Sequence, residues 1–425
     1  MRKNILHPWA KKLTYEIRKI VEVAKKVESF WREIIWENIW DPVVKWETIP
    51  DWMKKIVKNA CGEDDSYAYC PTKWLDITRE FIAKNNHKIS KEDIYFFNWL
   101  WDAINKVYKN LAFDARIIWP NPAYSTHSSA EAAHAWSEHI SYKLDPNNDW
   151  NPDLEELENK VKFNPNIVWI LVVNPDNPTW AVFKRDILEK IVSIAKEYRL
   201  FVIFDEIYEK LIFNDKDRVL LSEIIWDVPW ISMKWASKDL PWPWARCGWI
   251  EVYNKDKNKN FSDYIDSILN SKMLEVCSTT LPQKVLPELY SSNDFKIYNK
   301  KRIEKYKQRA DLADEILWDL DLIKVVKPKW AFYLSVTFNM DKMNRSASLE
   351  IKNEELKRYI EWLVFKERFD KRFCYYVLAS TWICSVPLSW FNSSYEWFRI
   401  TLLEEDIDKY KIILRTIKQA IINFR

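Results

Sequence analysis

Glycine is almost missing from this chain: 2 residues in 425. An ordinary soluble protein carries it at about 7%, because turns with left-handed backbone default to the residue without a Cβ. So few glycines exclude conventional turn chemistry unless another residue stands in those places. Cysteine is sparse as well. Cys61, Cys70, Cys247, Cys277, Cys374 and Cys384 form no C-x-x-C pair and no small-domain spacing. That excludes a disulfide scaffold or zinc ribbon and reads as free thiols in a reducing cytosol. Long apolar runs are absent, none approaching the ~20 residues of a membrane span, and MRKNILHPWAKK lacks the apolar core of a signal peptide. A cytoplasmic protein with no membrane partner is the expectation. Neither sign of charge dominates: 65 basic against 62 acidic residues give +3, which offers no argument for nucleic acid. There is no internal repeat, no low-complexity linker and no metal-ligand cluster. His127, His134 and His139 read as helix-surface or core residues.

What is there in excess is tryptophan, 26 residues. Many stand where turns call for glycine: N-P-T-W at 177–180, P-K-W at 328–330 and P-W-A-R at 243–246. A bulky residue forced into left-handed backbone costs about 1–2 kcal/mol. If half of about twenty such sites needed it, the strain would be roughly 10–20 kcal/mol, against a whole-domain stability of ~5–15. Most of these tryptophans are therefore expected to be glycine in the cell, as a code that reads UGA as glycine would produce. Tryptophan at 180, 244 and 330 in native peptides would end this idea. Trp249 follows a true glycine and is expected to be genuine, while Trp36, Trp52 and Trp242 stay open.

The length allows two or three domains with substantial cores. Leu13, Ile17, Ile20, Val21 and Ala24 share one face of a helix over 11–27, and 34–46 reads as a short strand ending in a turn. IYFFNWLWDAINKVYKNLA (94–112) reads as strand, turn and helix, with a helix N-terminus of the kind that binds phosphate. ARIIW is a further strand, leading to PNPAYSTHSS and Tyr124. IVWILVV (167–173) is a fully buried strand of the parallel kind. NPDNPTW and a helical stripe of Leu188, Ile191, Val192 and Ala195 come next, then the strand of LFVIFDEIYEKL. This β-loop-α-β spacing is a doubly wound α/β unit, whose ligands sit at the carboxyl ends of the strands. Asn177, Asp205 and Tyr208 fall at such ends. In ISMKWASKDLPWPWARCGWI (231–250) the apolar flanks hold Lys238 near a buried strand end, where burial and neighbouring cations make an amine reactive towards carbonyls. Later come a charged helical stretch (about 289–318), a helix at 353–369, an irregular segment at 381–391, and EWFRITLLEE with Arg399. A guanidinium there can clamp a carboxylate with two parallel bonds.

N-P-D-N-P-T, then D-E-I-Y, then S-K with arginine eight residues on, resemble in this order the class I/II pyridoxal-phosphate-dependent aminotransferases, the aspartate-aminotransferase-like branch of fold type I. The likeness runs from about 30 to 425 and includes P-K-W-A-F-Y (328–333) and STTLPQ (278–283). It implies a mostly parallel doubly wound large domain (60–300) and a smaller α+β domain built from 1–59 and 301–425. It implies pyridoxal 5'-phosphate attached to Lys238, which follows Ser237 in the cofactor site and then shuttles the proton. Asp205 would pair with the pyridine nitrogen, Asn177 and Tyr208 would donate to the ring's phenolic oxygen, and Tyr124 would stack on the ring. Arg246 and the amides of Trp99, Leu100 and Trp101 would hold the phosphate. Tyr69 would reach it from the other subunit of a homodimer. Trp40, Asn177 and Arg399 would contact the substrate, although indoles at 40, 99 and 101 crowd places where the family has close backbone approach. The implied reaction is ping-pong transamination between an amino acid and a 2-oxo acid. β-Elimination or decarboxylation on the same fold remains the alternative, as does a cofactor-free protein if the tryptophans are literal. A cofactor-sensing regulator would need a DNA-binding domain, for which ~30 residues before the match are too few.

Overall fold

The computed structural model describes residues 17–30, 33–38, 41, 43–45, 47–86, 88–135 and 139–425. Trp40 and Leu13 lie outside them. Its strands are β1 Ile35–Trp36, β2 Ile94–Asn98, β3 Arg116–Asn121, β4 Ser141–Asp145, β5 Asn151–Pro152, β6 Ile167–Val173 and β7 Phe201–Asp205. After them come β8 Trp230–Trp235, β9 Cys247–Tyr253, β10 Ile323–Val325, β11 Tyr333–Phe338, β12 Ile383–Cys384, β13 Val386–Pro387 and β14 Trp397–Thr401. Eight of them form one sheet in the order β2-β9-β8-β7-β6-β3-β4-β5. From β8 to β4 the neighbours run parallel, while β9 and β5 are antiparallel to theirs.

The parallel core arises from composition. Ile170, Leu171, Val172 and Val173 are at most 2% exposed, as expected of a strand covered on both faces. Each such aliphatic side chain contributes about 1.5–3 kcal/mol of burial. Helices such as Arg185–Glu197 cover the sheet through Leu188, Ile191, Val192 and Ala195, the stripe read from sequence. Register then sets the site. Val173 pairs with Asp205, and Asp205 with Met233, so the chain leaves three adjacent strands at one level.

A second, antiparallel sheet, β10-β11-β14-β13, comes from the C-terminal part and sets Ser335 opposite Arg399. The closing helix Ile407–Asn423 buries Tyr410, Ile413, Leu414, Ile417 and Ile421. The strand expected over 34–46 is only the two residues of β1, in parallel with β12. Glu37 still donates its N–H to the Cys384 carbonyl at 3.0 Å while its carboxylate holds Lys45 and Thr401, and Asn38 then faces the site. The tail of LFVIFDEIYEKL is not strand either: after Asp205 the chain turns and makes a 3-10 turn at Glu209–Leu211. Among the described residues no helix is long and apolar enough to cross a membrane.

Among the described residues thirteen other than glycine have positive φ, and six of these are tryptophan: Trp74, Trp99, Trp150, Trp180, Trp226 and Trp382. Neither glycine does. At about 1–2 kcal/mol each, those six sites alone carry roughly 6–12 kcal/mol of strain. Of the three turn tryptophans at 180, 244 and 330, only Trp180 (φ 68°) is itself left-handed. Beside Trp330 and Trp244 the left-handed residues are Ala331 (φ 48°) and Arg246 (φ 50°). The buried indole N–H groups of Trp74, Trp119, Trp230, Trp235, Trp330, Trp390 and Trp397 have no acceptor, each a cost glycine would not incur. Trp249 differs. Its indole donates to Glu251 at 3.0 Å.

Candidate active site

Four adjacent parallel strands deliver the polar residues. Tyr124 comes after β3, Asn177 after β6, Asp205 ends β7 with Tyr208 just beyond, and Lys238 sits on the helical turn Ala236–Asp239 directly after β8. Lys238 is thus past the strand end, on a buried turn. Together with Asn38, Trp99, Leu100, Trp101 and Arg399 these residues line one cavity of about 170 Å³. The N-P-D-N-P-T turn is shaped from within. Asp176 accepts the Thr179 N–H at 3.0 Å, Asn174 Oδ1 accepts the Phe183 N–H at 2.8 Å, and Asn177 is left facing the cavity.

Lys238 is 8% exposed. Burial first and the Arg399 cation second lower its pKa to about 7, against a partial offset from Asp205 and Asp41. The rings of Trp235, Tyr208 and Phe332 surround it, with centroids 5.2, 5.6 and 5.8 Å from Nζ. Asp205 is 2% exposed. One of its oxygens lies 3.1 Å from His127 Nε2, and the other accepts the Ile207 N–H at 3.3 Å. Asn177 Nδ2 donates to Tyr208 Oη at 3.4 Å; burial pushes the Tyr208 phenol well above its ordinary pKa, so it stays a donor. Arg399, 4% exposed, donates to Asn177 Oδ1 at 3.2 Å and to the Asn38 carbonyl at 3.1 Å, with its guanidinium 4.0 Å above the Tyr333 ring.

Several buried polar atoms have no protein partner: Arg399 Nε and both side-chain heteroatoms of Asn38 on the cavity lining, and Ser237 Oγ next to Lys238 but off that lining. Buried polar groups are normally satisfied, so they mark where a ligand's polar atoms belong. The ring side of the cavity therefore fits a protonated pyridine with an adjacent phenolic oxygen. The phosphate side fits except at one side chain. Trp99 opens the helix Leu100–Lys109 at φ 77°, ψ 158°, a region populated essentially by glycine alone. Its indole stacks on the Arg246 guanidinium at 3.8 Å. Its N–H goes to the carbonyls of Arg246 (2.8 Å) and Phe97 (2.9 Å), which leaves the amides of Leu100 and Trp101 for an anion. A true glycine supports the same corner, since a Cβ at Gly248 would meet Leu100 N at 3.1 Å.

Tyr69 is not in the cavity; it is 83% exposed, on a segment joined to STTLPQ by Thr280 donating to the Ala68 carbonyl at 2.7 Å. His127 and Asn38 belong to the site although sequence reasoning missed them there. His127 is a core residue, as expected, yet its contact is the Asp205 carboxylate. The available signal was its spacing three residues after Tyr124 at a helix start, which puts both on one face.

Residues 45–413 match the family described as aminotransferase class I and II. An uncharacterized aminotransferase of Methanocaldococcus jannaschii is 50% identical over 429 residues, spanning 100% of this chain and 99% of that protein. A glutamate-pyruvate aminotransferase of Escherichia coli K12 is 26% identical over 341 residues, 78% of this chain and 82% of that one. Among solved structures, an alanine aminotransferase from Pyrococcus furiosus superposes with a TM-score of 0.84 at 24% identity, covering 98% of this chain and 99% of that one. An aspartate aminotransferase of Thermus thermophilus does so at 0.79 and 16%, covering 99% of this chain and 100% of that one. These two likenesses carry the fold, the fold type I architecture, which like the family depends in general on pyridoxal phosphate. With the family matched over most of its length and a half-identical relative spanning both chains end to end, this chain belongs to the class I and II aminotransferases.

Proposed function

We propose that this enzyme moves the amino group of an α-amino acid to a 2-oxo acid in two half-reactions at the cavity around Lys238. The observation that carries the reading is the convergence of a buried amine of pKa about 7 and a buried carboxylate, at neighbouring strand ends of the large sheet, with a buried guanidinium brought in by β14 of the second sheet. When bound, pyridoxal 5'-phosphate supplies an aldehyde carbon and an electron-withdrawing ring. Asp205, steadied by His127, presents an anion to the ring nitrogen, while Asn177 and Tyr208 present donors to the phenolic oxygen. Tyr124 offers a flat face to the ring. Arg246, Ser237 and the amides of Leu100 and Trp101 hold the phosphate. Arg399 binds the substrate carboxylate with two parallel charge-assisted bonds; Asn177 and Asn38 orient it. Lys238 Nζ, neutral above about pH 7, takes the proton from the substrate Cα and returns it, as a general base works best with a pKa near the operating pH.

Alanine and glutamate are the donors to try first, because similar proteins are named for alanine, glutamate and pyruvate. The same reading makes the enzyme a cytoplasmic homodimer, with Tyr69 contributed to the neighbouring site. It divides each chain into a large unit (60–300) and a small one from the two ends. The test, on the chain with glycine at position 99, is an amino-acid-dependent change in visible absorbance that reverses on adding a 2-oxo acid and is lost when Lys238→Ala is added. Release of ammonia or CO₂ with no need for an acceptor would replace transamination by elimination or decarboxylation.

A further inference from the structure

The turn that carries Lys238 is a single helical turn, Ala236–Asp239, and the last four carbonyls of any helix lack a partner within it. Ala236 O accepts from Leu240 N at 3.0 Å. The carbonyls of Asp239 and Lys238 are reached from elsewhere, by Arg302 Nη1 at 2.9 and 3.4 Å. Arg302 belongs to the long helix Asn293–Leu317 and is 2% exposed. Its Nε lies 2.9 Å from Glu47 Oε1, and Glu47, itself 7% exposed, also accepts from the hydroxyls of Tyr298 and Tyr306. Glu47 lies on the N-terminal stretch whose Asn38 carbonyl receives Arg399 and whose Asp41 acts on the Lys238 charge.

We propose that Arg302 and Glu47 form a positioning pair that locks the Lys238 turn to the substrate-facing N-terminal stretch. The inference rests on Lys238 being the reacting amine. Arg302 is a positioning residue: on the turn its donors reach only backbone carbonyls, and its other partners are Glu47 and the Tyr306 hydroxyl. The charges facing the amine come from other elements, Arg399 on β14, Asp205 on β7 and Asp41 on the N-terminal stretch. Without the guanidinium two carbonyls of the turn lose their donor, the turn relaxes, and Nζ moves towards water. Rehydration raises the amine's pKa back towards that of an ordinary lysine, and misplacement by about 1 Å can slow chemistry roughly a hundredfold.

Arg302→Lys, Glu47→Gln and the double variant, each made in the chain with Trp99→Gly, test this. The readouts are kcat and KM of the holoenzyme, the thermal midpoint, and the pH dependence of Lys238 acetylation in the cofactor-free full-length chain, monitored by peptide mass. Each single variant is expected to lose roughly 10–100-fold in kcat with KM changed by less than about threefold. The acetylation midpoint should rise from about 7, and the double variant should be no worse than either single one. An unchanged kcat and midpoint beside a lower thermal midpoint would reduce the pair to a structural brace. Additive losses would show two independent effects, also against the proposal. If Arg302→Lys does not fold, Glu47→Gln keeps the shape, removes only the charge and gives the same readouts. Should Lys238 of the parent chain fail to titrate near neutrality, the reading of Lys238 itself falls, and this inference with it.

Discussion

At position 99 one side chain decides whether the phosphate end of the cavity exists. The backbone there, φ 77° and ψ 158°, costs a non-glycine residue about 1–3 kcal/mol, and the indole stacks on the arginine meant for the anion. Trp99→Gly is therefore expected to bind pyridoxal phosphate with a visible band, while the chain carrying the indole shows none; equilibrium titration by absorbance checks it. Peptide masses from the native source should show glycine at 99 and 180. Arg399 is the other residue on which function turns singly. A lysine cannot reproduce the planar fork, so Arg399→Lys should lower kcat/KM for the amino acid roughly 10–100-fold, as expected for a lost charge-assisted bond of ~1.5–3 kcal/mol. The loss should appear chiefly in KM, measured by steady-state kinetics.

Among the elements, β6 and β7 were readable because IVWILVV and FVIF are continuous apolar runs, and burial on both faces of a parallel strand requires one. Interrupted by Ser232 and Lys234, β8 was readable only as the apolar flank of the lysine. The segments beyond those strands were less legible. The short helical turn bearing Lys238, the two-residue β1 and the 3-10 turn after β7 are set by what the backbone meets in the tertiary structure. The helix Ser125–Ala135 shows the same limit. It reads as polar, yet it buries His127 against Asp205. His127→Ala leaves a buried carboxylate without its ring partner and should destabilise the fold by about 1–3 kcal/mol, with His127→Gln recovering part of that. Denaturant unfolding measures both.

For the whole molecule, the buried amine predicts a pH dependence of stability. Lys238 has a pKa of about 7 in the fold and ~10.4 when unfolded. Between those values the unfolded chain binds the proton more tightly, so stability rises with pH across the window. Lys238→Met should be more stable than the parent in cofactor-free form, by the most below about pH 7, with the gap closing towards pH ~10.4. Denaturation midpoints at a series of pH values would show it, and a gap independent of pH would contradict a neutral buried amine.

The sequence by itself determined the α/β class, the order of the motifs and nearly every residue of the cavity's polar set, because those depend on apolar periodicity and on which side chains can do the chemistry. It also exposed the tryptophan-for-glycine problem through composition alone. Only the tertiary structure decided which tryptophans sit in left-handed backbone, that the Trp99 indole lies on the Arg246 guanidinium, and that His127, Asn38, Glu47 and Arg302 converge on the site. Those facts depend on φ angles and on contacts between segments up to 361 residues apart. Local pattern does not encode them; packing does.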